Sequence, residues 1–239
     1  MSHTRKKTKI VATLGPAINS KEMLLKMVAA GVNVFRINFS HADYDEVTKI
    51  VATIRELNEE MGFHVACLAD LQGPKLRVGV MSEGVNLAID DVFTFTTEEL
   101  AVGTQEKAFM TYKNFPRDVK AGEQILVDDG KLLFEVMATD GVANVTTKVL
   151  RGGPLKSKKG VNLPNTAISL PALTEKDIKD AIFALSLQVD WMALSFVRNA
   201  ADLEDIHKLI AENSDTSEYR TRVISKIEKP EAIANIDAI

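Results

Sequence analysis

Apolar residues recur along this chain in two alternating rhythms. Lys9-Ile10-Val11-Ala12-Thr13-Leu14 is a short apolar run closed by Gly15-Pro16 and reads as a buried strand. Ser20 offers a helix N-cap, Met23, Leu24, Met27 and Val28 follow at helical spacing, and Gly31 ends the segment. Val34 to Phe39 alternates as a strand does. Asp43 to Met61 carries a helical stripe of Val47, Ile50, Val51, Ile54 and Leu57, stopped by Gly62. Val65-Ala66-Cys67-Leu68-Ala69-Asp70 is continuously apolar up to its last residue, as buried parallel strands are. The order is βαβαβ, and right-handed crossovers make such a sheet parallel.

The rhythm breaks from about Lys75 to Leu170. Short runs rich in Thr, Val and Phe replace it, such as Val92-Phe93-Thr94-Phe95-Thr96 and Ile125-Leu126-Val127. Turn signals separate them: Ser82-Glu83-Gly84, Asp128-Asp129-Gly130, Asp140-Gly141 and Gly152-Gly153-Pro154. This predicts an inserted small β-barrel or sandwich over 75–170, bracketed by hinges at Gly73-Pro74 and Leu170-Pro171. The βα rhythm then resumes. Thr174-Glu175-Lys176-Asp177 has the form of a capping box, opening a helix through Ile178, Ile182, Phe183 and Leu185. Trp191 to Phe196 is the fourth strand, and Leu203, Ile206, Leu209 and Ile210 mark its helix. Arg222 to Glu228 is the fifth strand, and Pro230 suits the first turn of a last helix. The expected organisation is a barrel segment with strands one to three over 1–74, an inserted β domain over 75–170, and a barrel segment with strands four and five over 171–239. An eight-stranded (β/α) barrel takes about 250 residues without an insertion. The predicted fold is therefore a (β/α)8 TIM barrel cut off after about its fifth strand.

Composition narrows the class. The chain has 239 residues, 46% hydrophobic and 26% charged, with a formal net charge of −4 at pH 7. That balance gives no sign of a nucleic-acid partner. The one cysteine, Cys67, has no internal partner, which fits a reducing compartment. The basic start, Arg5-Lys6-Lys7-Thr8-Lys9, leads into an apolar run too short for a secretory core or a membrane span. The expectation is a cytoplasmic protein without a membrane partner, its basic start a solvated terminus.

Polar residues gather at predicted strand ends. Arg36, Asn38 and Ser40 sit at period two, so an extended backbone turns them to one side. Taken alone, this row equally describes an edge strand with a solvated face. Asp70 ends the third strand, and Lys226 and Glu228 end the fifth. Carboxylates with oxygen donors suit hard cations, and guanidinium and ammonium groups suit phosphate. Together they are the parts of phosphoryl transfer.

Six stretches then match one family in order and spacing: Lys9 to Pro16, Arg36 to His41, Lys159-Gly160-Val161-Asn162-Leu163-Pro164, Leu170-Pro171-Ala172-Leu173, Ser195-Phe196-Val197-Arg198, and Ile224-Ser225-Lys226-Ile227-Glu228. Along essentially its whole length the chain resembles pyruvate kinase. The resemblance implies a barrel with a mobile β lid, and transfer of the phosphoryl group of phosphoenolpyruvate to ADP. It makes Lys226 the lysine that stabilises the moving phosphoryl charge and the enolate, and Arg36 a substrate-phosphate contact. It makes Glu228 one of two carboxylate ligands to Mg²⁺ or Mn²⁺. Asn38, Ser40, Asp70 and the backbone carbonyl of Leu71 become the monovalent-cation site. Arg77 and Lys159 become nucleotide contacts, with Asn38 and His41. On the residues alone, His41 also reads as a helix-entry residue and Lys156-Ser157-Lys158-Lys159 as a solvated loop. Asp128-Asp129-Gly130 reads as a hairpin turn rather than a metal site. For a complete protein the resemblance implies a homotetramer.

Two departures from the family matter. Many members carry Asp-Thr-Lys-Gly-Pro-Glu after the third strand, where this chain has Asp70-Leu71-Gln72-Gly73-Pro74-Lys75. The ammonium of Lys75 supplies the charge that K⁺ supplies elsewhere, so an enzyme with no K⁺ requirement is expected, as in the family's potassium-independent branch. The Gly-Asp pair that brings the second metal ligand, and the later strands, lie beyond the sequence given. Competing readings are a non-catalytic phosphate- or protein-binding remnant, which has no need of both Lys226 and Glu228, and another phosphoenolpyruvate-using or lyase-type barrel, which the placement of the insertion disfavours. Residues 1–239 alone are expected to be inactive and poorly soluble. A coupled turnover assay on that purified polypeptide checks this, and robust activity would contradict it.

Overall fold

The computed structural model describes residues 7–213 and 220–239. The chain opens with β1 (Val11–Thr13), a 3-10 turn (Pro16–Ile18), α1 (Lys21–Ala29), β2 (Val34–Asn38), α2 (Tyr44–Met61) and β3 (Ala66–Asp70). The insertion holds β4 (Leu76–Arg77), β5 (Asn86–Leu87), β6 (Val92–Thr96), β7 (Lys107–Phe109), α3 (Phe115–Asp118), β8 (Gln124–Val127), β9 (Leu132–Thr139), β10 (Asn144–Arg151), β11 (Gly153–Pro154) and β12 (Gly160–Asn162). Then come α4 (Glu175–Ser186), β13 (Trp191–Leu194), α5 (Ala200–Asn213), β14 (Arg222–Ser225) and α6 (Pro230–Ala234). By internal contacts the chain forms two compact units, one ending at Pro74 and resuming at Pro171, the other Lys75–Leu170.

The first unit is a parallel five-stranded sheet in the order β1-β2-β3-β13-β14. Neighbouring strands follow one another in sequence apart from the insertion, as the opening strands of a (β/α)8 barrel do. Its core lies between sheet and helices, with Phe35, Ile37, Cys67, Ala69, Met192 and Leu194 from the strands and Val51, Ile54, Leu57, Ala181, Ala184 and Ile206 from the helices. Local chemistry starts and stops the helices. The Ser20 hydroxyl accepts from the Met23 N–H, and Asp43 accepts from the Glu46 N–H. Gly62 closes α2 in the left-handed conformation. Thr174 and Asp177 form the full capping box at α4.

Three expectations need correcting here. The first strand is shorter than Lys9–Leu14 and is not buried: Val11 is 52% exposed, because β1 is the outermost strand and pairs only with β2 among the described residues. The fourth strand stops at Leu194, since Phe196 leaves the extended region at φ +58°. The fifth stops at Ser225, so Lys226 and Glu228 belong to the loop that follows it.

The second unit is a sheet in the order β4-β12-β8-β9-β10-β6-β7. Its two ends meet: the Gly79 N–H donates to the Phe109 carbonyl at 2.8 Å, the Thr111 N–H to the Arg77 carbonyl at 3.0 Å, and Val78 bridges Met110 antiparallel. The sheet therefore closes into a small barrel and leaves neither end strand open. Phe93, Phe95, Phe115 and Phe134 are fully buried and fill it, with Phe95 and Phe134 edge-to-face at 5.1 Å between centroids. Asp128-Asp129-Gly130 is the β8–β9 hairpin turn, all three residues at positive φ. The β9–β10 hairpin is tied by Asp140, whose Oδ1 accepts from the N–H groups of Val142, Ala143 and Asn144 at 2.8–2.9 Å.

Those hydrogen bonds, the strongest from Asn144, hold the Asp140 carboxyl well below the usual aspartate range. A carboxyl depressed by folding stabilises the native state above its unfolded pKa, near 3.9, and loses that contribution as pH falls toward the folded value. Thermal unfolding followed from pH 5 downward should therefore decline less steeply for Asp140→Asn than for the natural chain. Identical slopes would mean the turn carries no such linkage.

Candidate active site at the strand ends

Alternation in β2 sends Phe35 and Ile37 into the core and leaves Arg36 and Asn38 half-buried on the opposite side. The register pairs Asn38 with Asp70 on β3 and Thr13 on β1 with Arg36. Arg36 Nε donates to Asp70 Oδ2 at 2.6 Å, Nη2 reaches the same oxygen, and Nη1 donates to the Thr13 hydroxyl at 3.0 Å. Asp70, 3% exposed, gives its other oxygen to Lys226 Nζ at 3.2 Å. A buried carboxylate thus bridges a guanidinium and an ammonium brought from separate strand ends. Lys226 Nζ also donates to the Ser195 hydroxyl at 2.9 Å and stands 3.5 Å from Glu228 Oε1. Asp70 and Ser195 accept two of the ammonium's three protons, and Glu228 is a more distant ion-pair partner. Two cations and two carboxylates balance in charge.

Among the oxygens predicted for a monovalent cation, those of Asn38, Asp70 and Leu71 already have partners. Asn38 Oδ1 accepts from the Ser40 N–H at 3.1 Å. The Asp70 carbonyl accepts from the Phe39 N–H at 3.0 Å, and the Leu71 carbonyl from the Ser195 hydroxyl at 2.6 Å. Ser40 lies in the turn after β2, so the straight row expected from period two ends at Asn38. Asn38 and His41 line a cavity of about 320 Å³ with Thr13, Pro16, Asp43 and Ile50. That volume suits part of a small ligand.

The remaining predicted residues lie in the second unit. Arg77 Nη1 donates to the Lys158 carbonyl at 2.9 Å, and the Lys159 ammonium sits 3.0 Å from Asp128 Oδ1. Arg77 pairs across the ladder with Gly160, so Lys159, just before β12, lies beside the end of β4. The Lys159 and Lys131 ammonium groups hold the Asp128 carboxyl below its ordinary value. Lys75 is exposed.

Sequence reasoning missed several participants. Thr13 and Ser195 are ordinary hydroxyl residues whose partners lie far along the chain. Phe196 donates its backbone N–H to Glu228 Oε2 at 3.1 Å, a role no side-chain pattern signals. Lys176 donates to the Phe39 carbonyl at 2.7 Å and pairs with the buried Asp180. Asp180 also accepts from the Tyr44 hydroxyl at 2.7 Å, while the Tyr44 ring stacks on Phe183. Burial, followed by that hydrogen bond, pushes the Tyr44 hydroxyl up to about 12. This cluster fastens α4 to the turn carrying Asn38 and His41.

A parallel βα sheet with a guanidinium, an ammonium and carboxylates gathered past its carboxyl edge defines a class: α/β barrels with their polar groups at the strand-end rim. The comparisons identify the family within that class. The model of the pyruvate kinase barrel domain matches residues 5–239. A pyruvate kinase of Corynebacterium glutamicum is 43% identical over 234 residues, 98% of this chain and 48% of that protein. One of Mycobacterium tuberculosis is 42% identical over 231 residues, 97% of this chain and 48% of its own length. One of Geobacillus stearothermophilus is 42% identical over 237 residues, 98% of this chain and 40% of its own. The chain belongs to the pyruvate kinase family, and it spans about half the length of the curated relatives it matches. No helix among the described residues is long and apolar enough to cross a membrane.

Removing the Asp70 carboxylate leaves two cations facing each other without a counter-charge. Breaking a buried pair costs about 3–5 kcal/mol, and the partial exposure of Arg36 and Lys226 lowers that to about 2–4. Urea unfolding of Asp70→Ala should show this loss. A change below about 0.5 kcal/mol would mean the clamp contributes no stability.

Proposed function

We propose that this chain supplies the front half of the active centre of a pyruvate kinase, which transfers the phosphoryl group of phosphoenolpyruvate to ADP, giving pyruvate and ATP in glycolysis. The observation that carries the reading is the Asp70 carboxylate held between Arg36 and Lys226, with Glu228 facing the same lysine. In this reading Arg36 contacts the substrate phosphate. Lys226 faces the charge that grows on the moving phosphoryl group and on the enolate. Fixed charges aimed at developing charge are worth several kcal/mol each, because they need no reorganisation as the bond breaks.

Mg²⁺ is commonly held by one or two carboxylates together with substrate phosphates. Glu228, exposed and carboxylate-bearing, fits that donor set, and no group of three or more candidate ligands occurs among the described residues. Bound there, Mg²⁺ or Mn²⁺ would neutralise phosphoryl charge. Glu228 is also the longest of the three Lys226 contacts, so it is the partner most readily exchanged for a phosphoryl oxygen. The cavity beside Asn38 and His41 would take part of the nucleotide, with Arg77 and Lys159 of the lid as further nucleotide contacts. Asn38, Ser40, Asp70 and the Leu71 carbonyl form the monovalent-cation site, and the Lys75 ammonium removes the need for K⁺. The complete protein would act in the cytoplasm as a homotetramer.

In the full-length gene product, Lys226→Met should lower kcat by about 10²–10³-fold while the KM for phosphoenolpyruvate changes far less. The natural protein should keep its turnover in potassium-free buffer with a tetraalkylammonium counter-ion. A Lys226→Met protein of undiminished kcat would overturn the assignment of Lys226. A large activation by K⁺ would overturn that of Lys75.

A further inference from the structure

The segment Leu194-Ser195-Phe196 has two features that the fold alone does not require. Ser195 is 2% exposed, and its single hydroxyl proton goes to the Leu71 carbonyl at 2.6 Å. The oxygen accepts from Lys226 Nζ at 2.9 Å, and an ammonium can only donate, so the direction of both bonds is fixed. Phe196 stands at φ +58°, a backbone state that bulky L-residues rarely hold. That turn takes its N–H out of the strand direction and onto Glu228 Oε2 at 3.1 Å.

The Phe196 ring has two close neighbours. A Cβ built on Gly73 would come within 2.8 Å of Phe196 Cδ2, so the ring lies directly against bare backbone. Gly73 is itself anchored, its N–H donating to the buried Asp177 carboxylate at 3.0 Å. The Lys229 ammonium sits 6.0 Å from the ring centroid. Adjacent residues of one strand end therefore grip Lys226 through a side chain and Glu228 through the backbone. The lysine and the carboxylate close the loop at 3.5 Å.

We propose that Ser195 and Phe196 are positioning residues, a two-point brace that holds Lys226 and Glu228 at a set separation. The inference rests on the reading that those two residues serve the phosphoryl group and the divalent cation. Neither brace residue is assigned a contact with substrate. What the brace provides is orientation, where a displacement near 1 Å can cost about a hundredfold in rate.

The test uses the full-length gene product with Ser195→Ala, Ser195→Thr, Phe196→Gly and Phe196→Val. Three quantities are measured: steady-state kinetics, Mn²⁺ affinity by electron paramagnetic resonance without substrate, and trace acetylation of Lys226 by mass spectrometry. Ser195→Ala should lower kcat by about tenfold to a hundredfold, leave the phosphoenolpyruvate KM within about threefold, and raise Lys226 acetylation about fivefold as the ammonium loses an acceptor. Ser195→Thr keeps the hydroxyl and should recover most of both effects. Phe196→Gly tolerates positive φ and should bind Mn²⁺ nearly as the natural protein does, whereas β-branched Phe196→Val should bind it about tenfold more weakly. Unchanged acetylation and kcat in Ser195→Ala, or equal Mn²⁺ affinity in Phe196→Val, would overturn the brace and leave the kinase reading standing. A natural protein that neither turns over phosphoenolpyruvate nor binds Mn²⁺ would overturn the kinase reading. The acetylation contrast between Ser195→Ala and Ser195→Thr would still decide the brace, since it needs no substrate.

Discussion

One carboxylate holds the strand ends of the parallel sheet in their working relation. Asp70 is almost wholly removed from solvent, and an ionised carboxylate in that position is tolerable only with opposite charge in contact. Arg36 meets it from β2 and Lys226 from beyond β14, so the electrostatics link strands that are not hydrogen-bonded neighbours. Thr13 extends the link to β1 and Ser195 to the end of β13. Each strand of the sheet thus sends one group into a single connected network. That network also fixes geometry: Arg36 and Lys226 are held in orientation by the one buried carboxylate they share.

Helix α4 shows the same economy of charge. Its apolar pattern suggests that Ile178 and Ile182 face the core, yet they are 39% and 42% exposed. The buried positions include Asp177 and Asp180. Each acid is buried because it is fully employed: Asp177 caps its own helix and accepts the Gly73 N–H, and Asp180 receives Tyr44 and Lys176. The helix is oriented by polar contacts to the βα loops as much as by apolar burial. The loops so fastened are the one that follows Asn38, through Phe39, and the one that carries Gly73.

The second unit solves a different problem. Short strands rich in Thr, Val and Phe expose edges, and joining β4 to the β7 region removes the outermost pair. Four buried phenylalanines fill the small interior. Charged groups stay at its surface, where Lys159 and Asp128 pair across the ends of neighbouring strands.

Sequence by itself determined the elements. Period-two and helical spacing located β2 and α2, a continuous apolar run β3, and a capping box the start of α4, because such patterns record local burial and unpaired helix-end donors. It also named Arg36, Asp70, Lys226 and Glu228, each uninformative alone, because polar residues recur at three predicted strand ends within stretches that match one family. Tertiary structure alone decided that these four meet, that β1 stays exposed at a sheet edge, and that the fifth strand stops before Lys226. It alone revealed Thr13, Ser195 and the left-handed Phe196. The physical reason is distance along the chain: Ser195 and Leu71, or Lys226 and Asp70, touch only because the sheet brings their strand ends together, and no local pattern encodes a backbone N–H turned toward a carboxylate.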